Sequence, residues 1–99
     1  MITQEQLIEM SDFEINKTVA DVAGIEFRTS GRHVIPADQI RCDTLDYCNN
    51  PNDIMPIAFE NKIALFPLGK TWKARKQDVM SRTMNPLRAI CEAYILMNQ

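Results

Sequence analysis

The chain is poor in the residues from which most small enzymes and metal sites are built. It has one histidine, three cysteines and three glycines among 99 residues. So few glycines leave no phosphate-cradling loop, and although Lys70 follows Gly69, no Walker spacing precedes it. Acid–base work near neutral pH would fall to His33 alone, and no motif accompanies it. Cys42 and Cys48 are separated by five residues, a gap that fits no standard zinc-ligand spacing, and a fourth ligand beside His33 is missing. The longest apolar run, Ile63 to Leu68, is interrupted by Pro67 and is too short to span a bilayer. The N-terminal Met1-Ile2-Thr3-Gln4-Glu5 lacks the basic head and apolar body of a signal peptide. These absences predict a cytoplasmic protein with reduced thiols, no membrane, no metal, no cofactor and no catalytic set.

What is present suits one folded domain spanning residues 1–99, with 45% apolar residues to build its core. Charge is unevenly placed. Residues 1–60 carry eleven acids against four Lys or Arg, and residues 61–99 carry two against seven. Such asymmetry marks complementary faces, or a basic surface for an anionic partner. A net charge of −2 argues against non-specific binding of duplex DNA, which depends on neutralising phosphates.

Helix punctuation is explicit. Ser11-Asp12-Phe13-Glu14 is a capping box, with Ile15, Val19, Val22 and Ala23 forming an apolar stripe that Gly24 ends. Thr3 and Gln6 offer a second box for a short helical turn up to Met10. Asn50-Pro51 and Asn85-Pro86 each read as N-cap followed by proline at the first helical position. The first predicts a helix to about Lys62, in preference to a hairpin of Ile57–Phe59 against Ile63–Phe66, despite Pro56. The second predicts a helix with Leu87, Ile90, Cys91, Tyr94 and Ile95 on one face. Arg88 and Glu92 sit four apart on the other, a surface pair contributing a few tenths of a kcal/mol. Ile25–Arg28 and His33–Ile35 read as strands around a turn at Thr29–Arg32. Ile63–Phe66 reads as a buried strand, with Trp72–Arg75 its neighbour across a turn at Leu68–Lys70. Residues from Ala37 to Asn50 read as a connecting loop. The expected fold is α+β: a small single-domain α-β-α layered sandwich with short antiparallel strands between helices.

Two stretches could carry binding. Lys70-Thr71-Trp72-Lys73-Ala74-Arg75-Lys76 surrounds one tryptophan with four cations, which can stack a ring while holding phosphate. In a strand, Trp72, Ala74 and Lys76 share one face and Lys73 and Arg75 the other, so ring and cations need not converge. The plainer reading is an amphipathic edge strand whose tryptophan plugs the core. Around Tyr47-Cys48-Asn49-Asn50, helix-entry amides could hold an anion and Tyr47 could stack a ring, though capping explains the asparagines more simply. Asp43, Asp46 and Asp53 are read as solvated or capping carboxylates.

Several segments together carry a family resemblance. They are Ser11-Asp12-Phe13-Glu14-Ile15-Asn16-Lys17, Asp46-Tyr47-Cys48-Asn49-Asn50-Pro51, Pro56-Ile57 with Glu60-Asn61-Lys62, Pro67-Leu68-Gly69, Trp72, and Asn85-Pro86-Leu87-Arg88-Ala89. In this order they resemble the NinX-like family of small tailed-phage and prophage proteins, which has no assigned biochemical function. The layout is more distantly similar to small phage proteins described as α-β-α sandwiches. The resemblance implies a bacterial host's cytoplasm and an accessory phage role, and it carries no catalytic residues. The expectation is a non-enzymatic, oligomer-forming binding module that blocks a host factor or sequesters a small anionic ligand, as in counter-defence. The alternatives are an accessory to phage DNA replication or recombination acting through a protein or single-stranded DNA, and a small thiol- or His-dependent enzyme.

Overall fold

The computed structural model describes residues 2–37 and 44–99; the zinc-ligand candidate Cys42 and the loop carboxylate Asp43 lie outside them. The element order is α1 (Gln4–Glu9), α2 (Asp12–Val22), β1 (Phe27–Ser30), β2 (His33–Pro36), α3 (Pro51–Asn61), β3 (Ala64–Leu68), β4 (Thr71–Lys76), β5 (Val79–Thr83) and α4 (Pro86–Met97). The α+β class expected from the sequence is therefore what the chain adopts, with short antiparallel strands between helices.

The helix starts follow the caps. Thr3 and Gln6, and Ser11 and Glu14, form reciprocal capping boxes, while Asn50 and Asn85 cap α3 and α4 with proline in the first turn. α2 and α3 also end alike. Gly24 (φ 75°) and Lys62 (φ 55°) both take the left-handed conformation. The amides of Ile25 and Ile63 donate back to Ala20 and Ala58 carbonyls at 3.0 Å, closing the last turn of each helix. This use of the Ile25 amide is why β1 begins two residues later than the alternation of Ile25–Arg28 predicts. The helix after Pro51 prevails over the hairpin.

Two antiparallel sheets form: the hairpin β1-β2, and a three-stranded sheet in the order β3-β4-β5. β5 is an element the sequence reading did not find, and it corrects two expectations. β4 is the central strand rather than an edge. β3 is an outer strand with Ala64, Pro67 and Leu68 exposed, so the buried strand expected at Ile63–Phe66 is buried only at Ile63. α4 lies between this sheet, packing on β4 and β5, and the helices α2 and α3. Every residue from Ala89 to Ile95 is buried as a result. The core joins these to Leu7, Ile15, Val19, Ala20, Val34, Tyr47, Ile54, Ala58 and Ala74.

Candidate functional site

Three elements distant in sequence meet through one arginine. Arg88, in the first turn of α4, donates from Nε to Glu92 Oε2 (3.0 Å) and from Nη1 to Asp12 Oδ1 (2.7 Å). Its Nη2 donates to the carbonyls of Leu7 (2.7 Å) and Met10 (2.5 Å), where α1 gives way to α2. Glu92 has no exposed side chain, and its other oxygen accepts from the buried Ser81 hydroxyl of β5 at 2.6 Å. The surface pair expected of Arg88 and Glu92 is thus an interior ion pair. The i,i+4 spacing is right, but α4 is covered on this side by α1, α2 and β5. Burial works against the Arg88 charge; the hydrogen bonds to Glu92 and Asp12 outweigh it and hold its pKa above the ordinary value.

The network continues into the loop before α3. Asn49 Nδ2 donates to Asp12 Oδ2 (3.3 Å) and approaches both Asp46 oxygens (3.2 Å). Asn16 donates to Asp46 Oδ1 and accepts from the Cys48 amide, both at 3.1 Å. Asn85 Nδ2 donates to the Cys48 carbonyl (2.7 Å), and Asp53 accepts from the Asp46 amide (2.9 Å). The Asx chemistry of residues 46–53 therefore has internal partners. Asn50 accepts from the Asn52 amide as a cap (3.0 Å). Tyr47 is 2% exposed, so it is a core ring rather than a surface stacking platform, and its hydroxyl has no hydrogen-bond partner. Burial, and next Asp53, push that phenol up to about 12. Cys48 and Cys91 are buried free thiols; burial and then a hydrogen bond with Cys48 push Cys91 well up, which suits an inert neutral thiol.

Beside this network lies a cleft of about 430 Å³. Asp12, Asn16, Arg32, His33, Asp46 and Asn49 supply its polar lining, with Phe13 and Leu45 among the apolar part. His33 is exposed at the start of β2 and shares this cleft with two carboxylates. Among the described residues no group of three or more His, Cys, Asp or Glu could hold a metal ion.

The basic stretch lies elsewhere, and its strand register divides it. Ala74 and Ser81 are cross-strand partners buried beneath α4, so Leu65, Pro67, Trp72, Lys76, Val79 and Thr83 share that inner face. Trp72 is half-buried there, between Pro67 and Thr83. The outer face carries Phe66, Leu68, Lys73, Arg75, Met80 and Arg82. Arg75, Met80 and Arg82 are exposed, Phe66 and Lys73 half-buried, and no Asp or Glu occupies an outer position. Each arginine is steadied through Nε, Arg75 by the Gln77 carbonyl (2.9 Å) and Arg82 by Thr71 Oγ1 (2.7 Å). Among the described residues no carboxylate pairs with the terminal guanidinium nitrogens of these two exposed side chains. Lys73 Nζ lies 5.7 Å from the Phe66 ring centroid. Lys70 stands in the turn at one end of this face.

Of the sequence candidates, the structure brings Lys73 and Arg75 together, puts Trp72 and Lys76 behind them, packs the Tyr47 ring in the core, and engages Asn49 and Asn50 in hydrogen bonds within the loop and the α3 cap. Arg82 is the residue the sequence reading missed. The short segment Val79–Thr83, set between a two-residue turn and the Asn85 cap, was the signal that could have found it.

No helix among the described residues is long and apolar enough to cross a membrane. No curated protein and no solved structure matches the chain. The described network joins Asp12, Asn16, Asp46, Asn49, Asn85 and Arg88, residues from the segments that carried the family resemblance. Residues 6–98 match the family described as Bacteriophage P22, NinX, and the chain belongs to that phage protein family.

Proposed function

We propose that the protein is a non-enzymatic binding module of the phage that engages an anionic partner through the open face of β3-β4-β5. The observation that carries this reading is the set of Lys73, Arg75 and Arg82 on one solvent-facing surface with no carboxylate among them. An arginine fork held by one neutral acceptor is ordered in advance for phosphate or carboxylate, so less entropy is lost on binding. The remaining chemistry argues against turnover: among the described residues the thiols, Cys48 and Cys91, are buried, and the network around Asp46 and Asp12 is internally satisfied. That surface is the open face of a three-stranded sheet, whereas a small ligand is held best in a concavity. The cleft at His33 is concave, but Asp12 and Asp46 outnumber the one fixed cation in its lining, Arg32, which disfavours a small anion there. Geometry therefore favours an extended anionic partner over a sequestered small one.

The test is binding of anionic probes (polyglutamate, heparin and oligonucleotides) to the wild type and to Arg75→Glu/Arg82→Glu, with salt varied. Salt-sensitive binding lost in the double variant supports the reading. Binding to none of the probes, or binding unchanged by the charge reversal, sinks it.

A further inference from the structure

The outer face of β3-β4-β5 has more than charge, and its other features select among anionic polymers. Lys73 and Arg82 are direct cross-strand partners, and Arg75 lies two residues along β4, about 7 Å away. Between and beside these cations sit flat or soft apolar groups. Phe66 pairs with Lys73, and Met80 pairs with Arg75. A five-residue strand is about 17 Å long and three strands span about 10 Å, which accommodates roughly 4 nucleotides of an extended chain. Resting on the reading that this face binds an anion, we infer that its occupant is single-stranded nucleic acid.

Charge complementarity and the interleaved apolar groups carry the assignment. Phosphates of a single strand meet Lys73 and the free ends of the two guanidiniums. Splayed bases find the Phe66 ring, the Met80 side chain and the guanidinium planes, all of which stack without reading sequence. An acidic polypeptide satisfies the cations but leaves Phe66 and Met80 without ring partners. A duplex keeps its bases stacked inside and offers this short face only a backbone. Three cations in a chain of net charge −2 are few for holding a duplex. Trp72, on the opposite face, takes no part.

The experiment is fluorescence anisotropy with a labelled oligonucleotide of about a dozen nucleotides, its duplex form, and polyglutamate of matched charge, at several salt concentrations. The single strand should bind at least about tenfold tighter than the other two, with a log–log salt slope near −2, the value for about three phosphate contacts on a single strand. Arg82→Gln should flatten that slope by about 0.7. Phe66→Ala should weaken binding about tenfold, and Phe66→Tyr, which keeps the ring, should restore it. Lys17→Glu, a charge reversal on α2, should change nothing. If polyglutamate or duplex binds as tightly as the single strand while Arg75→Glu/Arg82→Glu still abolishes binding, the single-strand assignment is wrong and the anion-binding face stands. If no probe binds, both fall.

Discussion

Arg82 and Arg88 are six residues apart, and the chain uses them in opposite ways. Arg88 has Nε, Nη1 and Nη2 all engaged by Glu92, Asp12 and two carbonyls, with 15% of its side chain exposed. Arg82 has its Nε on one threonine hydroxyl and the rest of the guanidinium in solvent. The first cation ties α1, α2, β5 and α4 to each other; the second ties nothing distant. Residue type does not decide between scaffold and working surface here. What decides is whether the adjoining elements bring a carboxylate within reach.

The largest expected effect comes from breaking the interior hub. Arg88→Ala leaves Glu92 buried without its cation and should cost about 3–5 kcal/mol, enough to unfold a marginal domain of this size, read by urea denaturation. Glu92→Gln on the same background should restore part of that loss, because it removes the uncompensated charge while keeping a group for Ser81.

A second effect tests the interior through pH. The Tyr47 phenol titrates at about 12 when folded and at about 10 when unfolded. Between these values the unfolded chain has released a proton that the folded chain keeps. Its contribution is therefore intact below about pH 10 and is lost as pH rises toward about 12, by up to roughly 3 kcal/mol. Tyr47→Phe should remove this part of the alkaline destabilisation, leaving the parts due to Cys91 and Tyr94, whose pKa values burial also raises.

Near neutral pH the same substitution sharpens the contrast further. The Tyr47 hydroxyl is the one buried polar side-chain atom without a partner among the described residues, so Tyr47→Phe should raise stability by about 1 kcal/mol, seen as a higher Tm. A fall in Tm would mean that the hydroxyl is satisfied, as by a buried water.

The smallest stability effects belong to the outer face. Lys73→Ala and Arg82→Gln should each shift stability by no more than about 0.5 kcal/mol while reducing polyanion binding. A large loss of stability from Arg82→Gln would mean that the two arginines are not divided in the way described.

The helices were legible because their start signals are local. Ser11 with Glu14, Asn50 with Pro51 and Asn85 with Pro86 each solve the problem of unpaired amides within four residues. β5 was less legible, since its turn is made by Gln77 at φ 54° rather than by a glycine, and its five residues alternate only weakly in polarity. The site was legible in composition but not in membership. Spacing alone separated Trp72 from Lys73 and Arg75, while Arg82 required the third strand. Nothing local reveals that Glu92 is buried, because its partner Ser81 is eleven residues away and the Asp12–Arg88 contact spans 76.

The division between the two arginines is tested most directly by measuring polyanion binding and thermal unfolding on the same samples of wild type, Arg82→Glu and Arg88→Gln. Arg82→Glu should keep its Tm and lose most of its salt-sensitive binding, and Arg88→Gln should lose its fold. Unchanged binding in Arg82→Glu, or an undiminished Tm in Arg88→Gln, would contradict it.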